Sequence, residues 1–261
     1  MASPLTTRME GGRRLQGTAR SKPPLVSIIT VVFRAAHELL PLFESIVANM
    51  GEDSEWIVID GGSEDGTVEI LRRFNDSIDY WLSEPDRGIY DAMNKGIALA
   101  TGEYVLHLNA GDRLQHIPSE ELRNSLERQV EVACFAVISP GWGEFRPRTG
   151  LLMRMDNMWN HQGVFYLRRT HPGYDLRYPV LSDFDCNQKM VKAGRRVVLS
   201  RTVVAWQESI GMSRSARLGR ERYDIVRENF GPFWVVAAVI WTYTAWLRLI
   251  LKRILTFLES L

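Results

Sequence analysis

The chain has 261 residues and only two cysteines, Cys134 and Cys186. Both sit in apolar or helical surroundings and neither has metal-ligand spacing, which removes a cysteine-based metal module and points to buried thiols in a reducing compartment. An excess of one charge is lacking too. Lys and Arg number 32 against 31 Asp and Glu, a formal net charge of +1, so there is no overall electrostatic case for a nucleic-acid partner. The basic start, with Arg8, Arg13, Arg14, Arg20 and Lys22, leads into no apolar run of the kind a secretory signal needs. Residues 1–23 are therefore expected to be a disordered basic leader. No G-x-G-x-x-G follows the first strand candidate and no GxxxxGK[ST] loop occurs, which argues against a dinucleotide dehydrogenase and a P-loop enzyme. Internal repeats are absent as well.

What is present suffices for a core: 45% hydrophobic residues against 24% charged indicate one folded domain with an appendage. Residues 25–33 (LVSIITVVF) form a β-branched run suited to a strand buried on both faces, parallel and central in its sheet. Leu39, Leu42, Phe43 and Ile46 recur at helical spacing within residues 38–49, and residues 55–59 return to strand, completing a βαβ unit. That strand runs into Asp60-Gly61-Gly62-Ser63-Glu64-Asp65-Gly66-Thr67. Its glycines let the backbone approach a ligand, and its far end opens a second helix marked by Val68, Leu71 and Phe74. A third strand is expected over residues 79–83.

The stretch 86–112 (DRGIYDAMNKGIALATGEYVLHLNAGD) is the centre of the pattern. On a helix starting near Ile89, the residues Ile89, Met93 and Ile97 share one face while Asp91, Asn94 and Lys95 share another. Thr101-Gly102 stops the helix, residues 103–108 read as a strand, and that strand ends at Asn109-Ala110-Gly111-Asp112. In open α/β sheets the carboxyl ends of strands are where ligands bind, so Asn109 and Asp112 are candidate ligands for a metal or a sugar; a plain turn is the alternative.

Further along, residues 131–139 read as a strand and the Gly/Pro-rich segment 140–150 as loops or an edge hairpin. Asn160-His161-Gln162-Gly163 precedes a strand over 164–167, and a helix starts at Ser182-Asp183-Phe184-Asp185 and runs to about Gly194. Short strands are expected over 196–200 and 203–206, which closes a domain spanning 24–211. Within 212–261, residues 213–229 form a charged helix read as a solvated face. Residues 230–247 carry no charge and include Trp234, Trp241, Tyr243 and Trp246. Beyond them Leu247, Ile250, Leu251, Ile254 and Leu258 fall on one helical face and Arg248, Lys252 and Thr256 on the other, the pattern of an interfacial amphipathic helix on a membrane. A spanning helix and a buried core helix are the alternatives.

Taken in order, VSIITVVFR, EWIVIDGGSEDGT, DRGIYDAMNKGI, GEYVLHLNAGD and LSDFD resemble the motifs of bacterial family-2 glycosyltransferases, over residues 26 to about 204. The resemblance implies an α/β fold of GT-A type: a Rossmann-like, mostly parallel sheet with flanking helices, here followed by C-terminal amphipathic and apolar helices. It implies transfer of a sugar from a nucleotide-diphosphate sugar to a saccharide acceptor, with inversion and with Mn²⁺ or Mg²⁺ as cofactor. On these residues it would place the nucleotide near Val32, Asp60 and Gly61, with Asp60 on the base or ribose, and Arg87 near the diphosphate. Asp91, Asn94 and Lys95 would border the sugar-donor pocket together with Asn109. Asp112 would be the metal ligand, the one carboxylate left in an acidic cluster where Asn109 and Gly111 replace others. Asp183 would be the general base, and His161, Gln162 and Asp185 would line the acceptor side. A turn-forming role at Asp60, a surface role at Arg87, a solvated helix face at Asp91, Asn94 and Lys95, and a structural histidine remain open. So does a helix-capping role for Asp183, with Asp185 as the other candidate base.

Two rival functions fit parts of the pattern: a sugar nucleotidyltransferase, and an inactive membrane-docked scaffold that keeps a nucleotide fold. Asp60, Arg87, Asp112 and Asp183 together speak against the second. The C-terminal helix and a lipid-linked acceptor together imply a cytoplasmic protein peripheral on the inner face of the cell membrane, engaged in bacterial surface-polysaccharide synthesis.

Overall fold

The first strand, β1 (Met9–Gly11), lies where the basic leader is expected to be disordered. It runs antiparallel to β4 (Tyr80–Ser83), pairing Met9 with Ser83 and Gly11 with Trp81. Two leader arginines explain why a segment without apolar periodicity is ordered. Arg14 pairs with the buried Glu55, and Arg20 pairs with the buried Asp79 at 3.0 Å. A buried carboxylate is costly without a cation or hydrogen bonds, and the leader supplies both cations. The structure is a computed structural model that describes residues 8–18, 20, 22–140, 143–207 and 217–244.

From β2 (Val26–Val32) the chain builds a parallel block. β2 is buried along its length and pairs in parallel with β3 (Ser54–Asp60) on one side and β5 (Tyr104–His107) on the other, while β4 extends the block beyond β3. The central parallel position expected for residues 25–33 is the observed one. Helices α1 (Leu39–Asn49) and α2 (Thr67–Arg73) cover one face, where Phe43 meets Trp56 edge-on at 4.7 Å and the Trp56 indole donates to Thr30 Oγ1 at 3.0 Å. Helix α3 (Ile89–Leu99) covers the other with Tyr90, Ala92 and Met93.

Past β5 the sheet becomes mixed. Its full order is β1-β4-β3-β2-β5-β9-β7-β10-β6, with β8 (Gly143–Phe145) attached to β7 (Val132–Ser139) as the expected edge hairpin. β9 (Val164–Leu167) is antiparallel to both neighbours, β7 and β10 (Val197–Gln207) are parallel, and β6 (Asp112–Leu114) is antiparallel to β10. The two short strands expected over 196–206 are one strand, β10, with register shifts between Leu199 and Ala205. Sequence reading misses β6 and helix α4 (Ser119–Glu127). β6 is three residues long, and α4 buries only Leu122 and Ser125, too little apolar pattern to register.

The C-terminal elements pack as a pair against α5 (Ser182–Lys192). Helix α6 (Arg217–Phe230) is not simply the solvated face expected, since Ile225 and Val226 are fully buried against Phe184 and Tyr178. Gly231, at φ +90°, ends it, and residues 232–244 are again helical. On that second helix Ala238 is buried while Phe233, Val236, Val239, Ile240 and Tyr243 stay exposed. The amphipathic segment beyond 247 lies outside the described residues. Among the described residues no helix is long and apolar enough to cross a membrane.

Candidate active site

Strand order 4-3-2-5 means that the chain leaves β2 and β5 in opposite directions, so their carboxyl ends splay and leave a crevice. A cleft of about 890 Å³ occupies this position. The end of β2 contributes Val32, Phe33 and Arg34; the β3 turn contributes Gly61; the acidic turn contributes Asn109 and Asp112. His161, Gln162 and Asp183 complete the wall expected to face the acceptor.

Asp183 stands in the first turn of α5, where the helix N-terminus favours an anion. Its side chain is held from three sides. The Tyr90 hydroxyl donates to Oδ1 at 2.9 Å, the Asn157 amide donates to Oδ2 at 3.1 Å, and His161 Nδ1 is 3.7 Å from Oδ2. Burial raises the Asp183 pKa, but the hydrogen bond and charge of His161 and the Tyr90 hydroxyl outweigh it and leave the pKa below the ordinary carboxylate value. Burial lowers the His161 pKa, and Asp183 and Asp112 reverse this to a net rise. Asp185, two residues on, faces the other way, pairing with Lys189 at 2.6 Å and accepting from Asn229 at 3.0 Å. Being absent from the cleft, it is not placed to serve as the base.

The acidic turn is closed by its own backbone. Gly111 takes φ +89°, and the Asn109 N–H donates to Asp112 Oδ2 at 2.8 Å. Gln162 Nε2 reaches both Asp112 oxygens at 3.2 Å, and the Asn109 amide meets His161 Nε2 at 3.1 Å. Burial pushes the Asp112 carboxyl up to about 6. Among the described residues no group of three or more His, Cys, Asp or Glu forms a ligand cluster. Asn109 Oδ1 and Gln162 Oε1 are nonetheless buried without a hydrogen-bond partner. One carboxylate with neutral carbonyl oxygens nearby fits a hard cation that takes its other ligands from phosphate and water.

On the opposite wall only some of the residues expected to meet the donor line the cleft: Val32, Gly61 and Asn109 do, whereas Asp60, Arg87, Asp91, Asn94 and Lys95 do not. Asp60 lies beneath the cleft rather than on it. It is fully buried, and its oxygens accept from Ser63 N, Ser63 Oγ and Ser83 Oγ at 2.9, 2.5 and 2.6 Å. It shapes the turn that presents Gly61, where an added Cβ would come within 2.6 Å of Asp86 Oδ2. Arg87 is outside the cleft, its side chain 76% exposed and paired with Asp91 at 2.9 Å. Asn94 is tied to the backbone of Tyr174 through both ends of its amide, and Lys95 to Glu84 and the Pro85 carbonyl. These polar residues of α3 anchor neighbouring loops; the helix shows the cleft Ile89, Tyr90 and Ala92 instead. Arg34, which sequence reading passes over, is the one Lys or Arg among the described cleft residues. It adopts φ +50°, with its guanidinium over Phe33 and its N–H donating to Ser63 Oγ at 2.7 Å. An unusual backbone angle at a strand end leaves no trace in hydropathy. Sequence reading likewise passes over Asp86 and Asn157, which line the cleft from loops without periodicity.

A mostly parallel sheet flanked by helices, with a cleft at the switch point of its strand order, gives the chain a fold of GT-A type. The chain belongs to glycosyl transferase family 2, whose family model matches residues 27–193. It is 33% identical over 190 residues to a PGL/p-HBAD biosynthesis glycosyltransferase of Mycobacterium tuberculosis (strain ATCC 25177 / H37Ra), covering 63% of this chain and 68% of the relative. To the uncharacterized glycosyltransferase YibD of Escherichia coli (strain K12) it is 30% identical over 159 residues, covering 56% of this chain and 46% of the relative.

Among solved structures, Staphylococcus aureus TarS 1–349 in complex with UDP-GlcNAc superposes with a TM-score of 0.62 at 14% identity, covering 78% of this chain and 64% of that one. The mannosyltransferase PcManGT of Pyrobaculum calidifontis, in complex with GDP-Man and Mn²⁺, gives 0.53 at 16% identity over 80% and 64%. Both likenesses show the fold. The chain spans 38% of the longer TarS structure.

Proposed function

We propose that this glycosyltransferase moves a sugar from a nucleoside diphosphate sugar to a hydroxyl of a saccharide acceptor by a single inverting displacement, with Asp183 as the general base. The observation that carries the reading is the Asp183 carboxylate on the cleft wall, kept ionised and aimed by Tyr90, Asn157 and His161. The acceptor oxygen forms its bond to the anomeric carbon from one face as the bond to the diphosphate breaks on the other. The bonding electrons leave with the diphosphate, and the hydroxyl proton passes to Asp183. A carboxylate with a lowered pKa suffices, because it takes the proton only as the new bond forms. Arg34, which lines the cleft, would meet the diphosphate, and Asp112 would hold a Mg²⁺ or Mn²⁺ ion. Such an ion supplies positive charge for the departing diphosphate. The named ligands of TarS and PcManGT support the nucleotide-sugar class of donor.

The acceptor in this reading is lipid-linked, and the enzyme works against the inner face of the cell membrane on a surface glycan. The exposed apolar residues of 232–244 and the buried free thiols support this, as does the name of the mycobacterial relative. The deciding experiment is a thermal-stability screen with UDP, GDP, dTDP and CDP, with and without Mn²⁺, followed by transfer assays on the sugar of the stabilising nucleotide. Stabilisation by one nucleotide, and transfer lost in Asp183→Asn, are the expected results. An Asp183→Asn protein with unimpaired transfer would sink the base assignment.

A further inference from the structure

Consecutive residues of α6, outside the segment that the family model matches, each hold one of the two loops that aim Asp183. Glu221 is buried, and its Oε2 accepts from the N–H groups of Val180 and Leu181 at 3.0 and 2.9 Å. The Val180 carbonyl shares the Tyr90 hydroxyl with Asp183, at 3.0 and 2.9 Å. This route ends on Oδ1. Arg222 pairs with Asp156, whose Oδ1 also accepts from the Asn157 N–H at 2.9 Å. The Asn157 amide donates to Asp183 at 3.1 Å, and this second route ends on Oδ2. The helix of 232–244 adds to the second route, since Trp241 donates its indole N–H to Asp156 at 3.1 Å and Thr242 accepts from Arg222 at 3.1 Å.

We propose that Glu221 and Arg222 are positioning residues for the general base, so that the C-terminal helical pair is part of the catalytic apparatus and not only an appendage. The inference rests on Asp183 as the base. Neither residue lines the cleft, so both act through the loops: Glu221 fixes the peptide groups that enter α5, and Arg222 fixes the turn that carries Asn157. Reacting groups must be held to within a fraction of an ångström, and a displacement of about 1 Å costs on the order of 100-fold in rate.

The test compares Glu221→Ala, Glu221→Gln, Arg222→Ala and the milder Asp156→Asn with wild type and with Asp183→Asn. Two readouts are made on each folded protein. The first is the imidazole ¹⁵N shifts of His161 at one fixed pH, which report the Asp183 contact without any substrate. The second is kcat for transfer against affinity for the nucleotide found in the stability screen. Expected are His161 shifts displaced toward those of Asp183→Asn and kcat lowered about 10-fold to 100-fold in the two alanine variants. Nucleotide affinity should stay at the wild-type value. Glu221→Gln, which keeps the accepting oxygen, should recover most of the rate. If the alanine variants fail to fold, Asp156→Asn carries the comparison, with His161 shifts displaced part of the way toward those of Asp183→Asn. Unchanged His161 shifts in the folded alanine variants and in Asp156→Asn, or nucleotide affinity falling in step with kcat, overturns the proposal. An active Asp183→Asn would instead remove the base assignment beneath it, so the two failures are told apart.

Discussion

The Tyr90 hydroxyl and the Asp183 carboxylate, 93 residues apart in the chain, meet at 2.9 Å. One comes from the first turn of α3 and the other from the first turn of α5, so the proposed base is held by a contact between two helices distant in sequence. Replacing Asp183 with Asn should lower transfer about 10²- to 10⁴-fold, the range for loss of a general base. Nucleotide binding by calorimetry should stay intact. Tyr90→Phe removes one hydrogen bond to a charged group, a net contribution of about 1.5–3 kcal/mol, and should lower kcat about 10-fold or more with little change in donor KM.

Asp112 gives two opposed pH dependences. Its folded pKa is raised by burial from the ordinary 3.8 to about 6, so the folded state binds the proton more tightly than the unfolded chain does. The associated stability is fully present below about pH 4 and is lost as pH rises through about 6. Two units correspond to a contribution on the order of 2–3 kcal/mol. In the absence of divalent cation, Asp112→Asn should therefore raise Tm at pH 7 and flatten this part of the stability profile. Metal-dependent nucleotide binding needs the ionised form and should weaken as pH falls below about 6. A wild-type stability profile flat between pH 4 and 7 would remove the first expectation.

Arg34 should carry donor affinity in place of Arg87. Charge-assisted hydrogen bonds to phosphate are worth about 1.5–3 kcal/mol each, so Arg34→Ala should weaken binding of the stabilising nucleoside diphosphate at least about 10-fold. Arg87→Ala, which breaks an exposed pair with Asp91, should change it by less than about 3-fold. Calorimetry on the two variants decides between them, and the reverse ranking would return the diphosphate to Arg87.

The parallel half of the fold was legible because its strands are buried on both faces: β2 and β3 are rich in Val and Ile and buried at every position, and Leu39, Leu42, Phe43 and Ile46 mark α1 without competition. β1 could not be read, since its order comes from Arg14 and Arg20 meeting carboxylates distant in sequence. The site divides in the same way. Asn109, Asp112, His161, Gln162 and Asp183 stand in motifs at strand ends or helix starts, and the structure brings all five to one cleft. Asp91, Asn94 and Lys95 share a helical face as expected, but periodicity cannot tell a face toward a ligand from one toward the next loop. Here Asn94 meets Tyr174 and Lys95 meets Glu84.

Gly96 tests the close packing behind the cleft. It lies in α3 where a Cβ would come within 2.4 Å of Ile29 Cγ2 on β2. Alanine is the better helix former by about 1 kcal/mol, yet overpacking costs about 1–3 kcal/mol. Gly96→Ala should therefore lower stability in urea unfolding by up to about 2 kcal/mol. A stabilised variant would mean that α3 moves away from β2 without penalty.

The exposed apolar residues of 232–244 allow a membrane test that leaves the core intact. Deleting the whole C-terminal region is a poor probe, because Trp234 and Val235 pack against the cluster of Tyr178, Phe184, Ile225 and Val226, and Trp241 binds Asp156. Phe233, Val236 and Ile240 instead face solvent, at 73, 61 and 58% exposure. Burying a large apolar side chain contributes about 1.5–3 kcal/mol, and about 1.4 kcal/mol is a factor of ten in affinity. If these residues enter the interfacial region of a bilayer, the triple variant Phe233→Ser, Val236→Ser, Ile240→Ser should bind vesicles of phosphatidylglycerol and phosphatidylethanolamine at least about 100-fold more weakly. Its Tm should match wild type. Because Arg248, Lys252 and Arg253 follow in the sequence, wild-type binding should also fall when the anionic lipid is left out or salt is raised. Equal vesicle binding by the variant and wild type would mean that this face is not the docking surface, and a loss of Tm would mean that it belongs to the core.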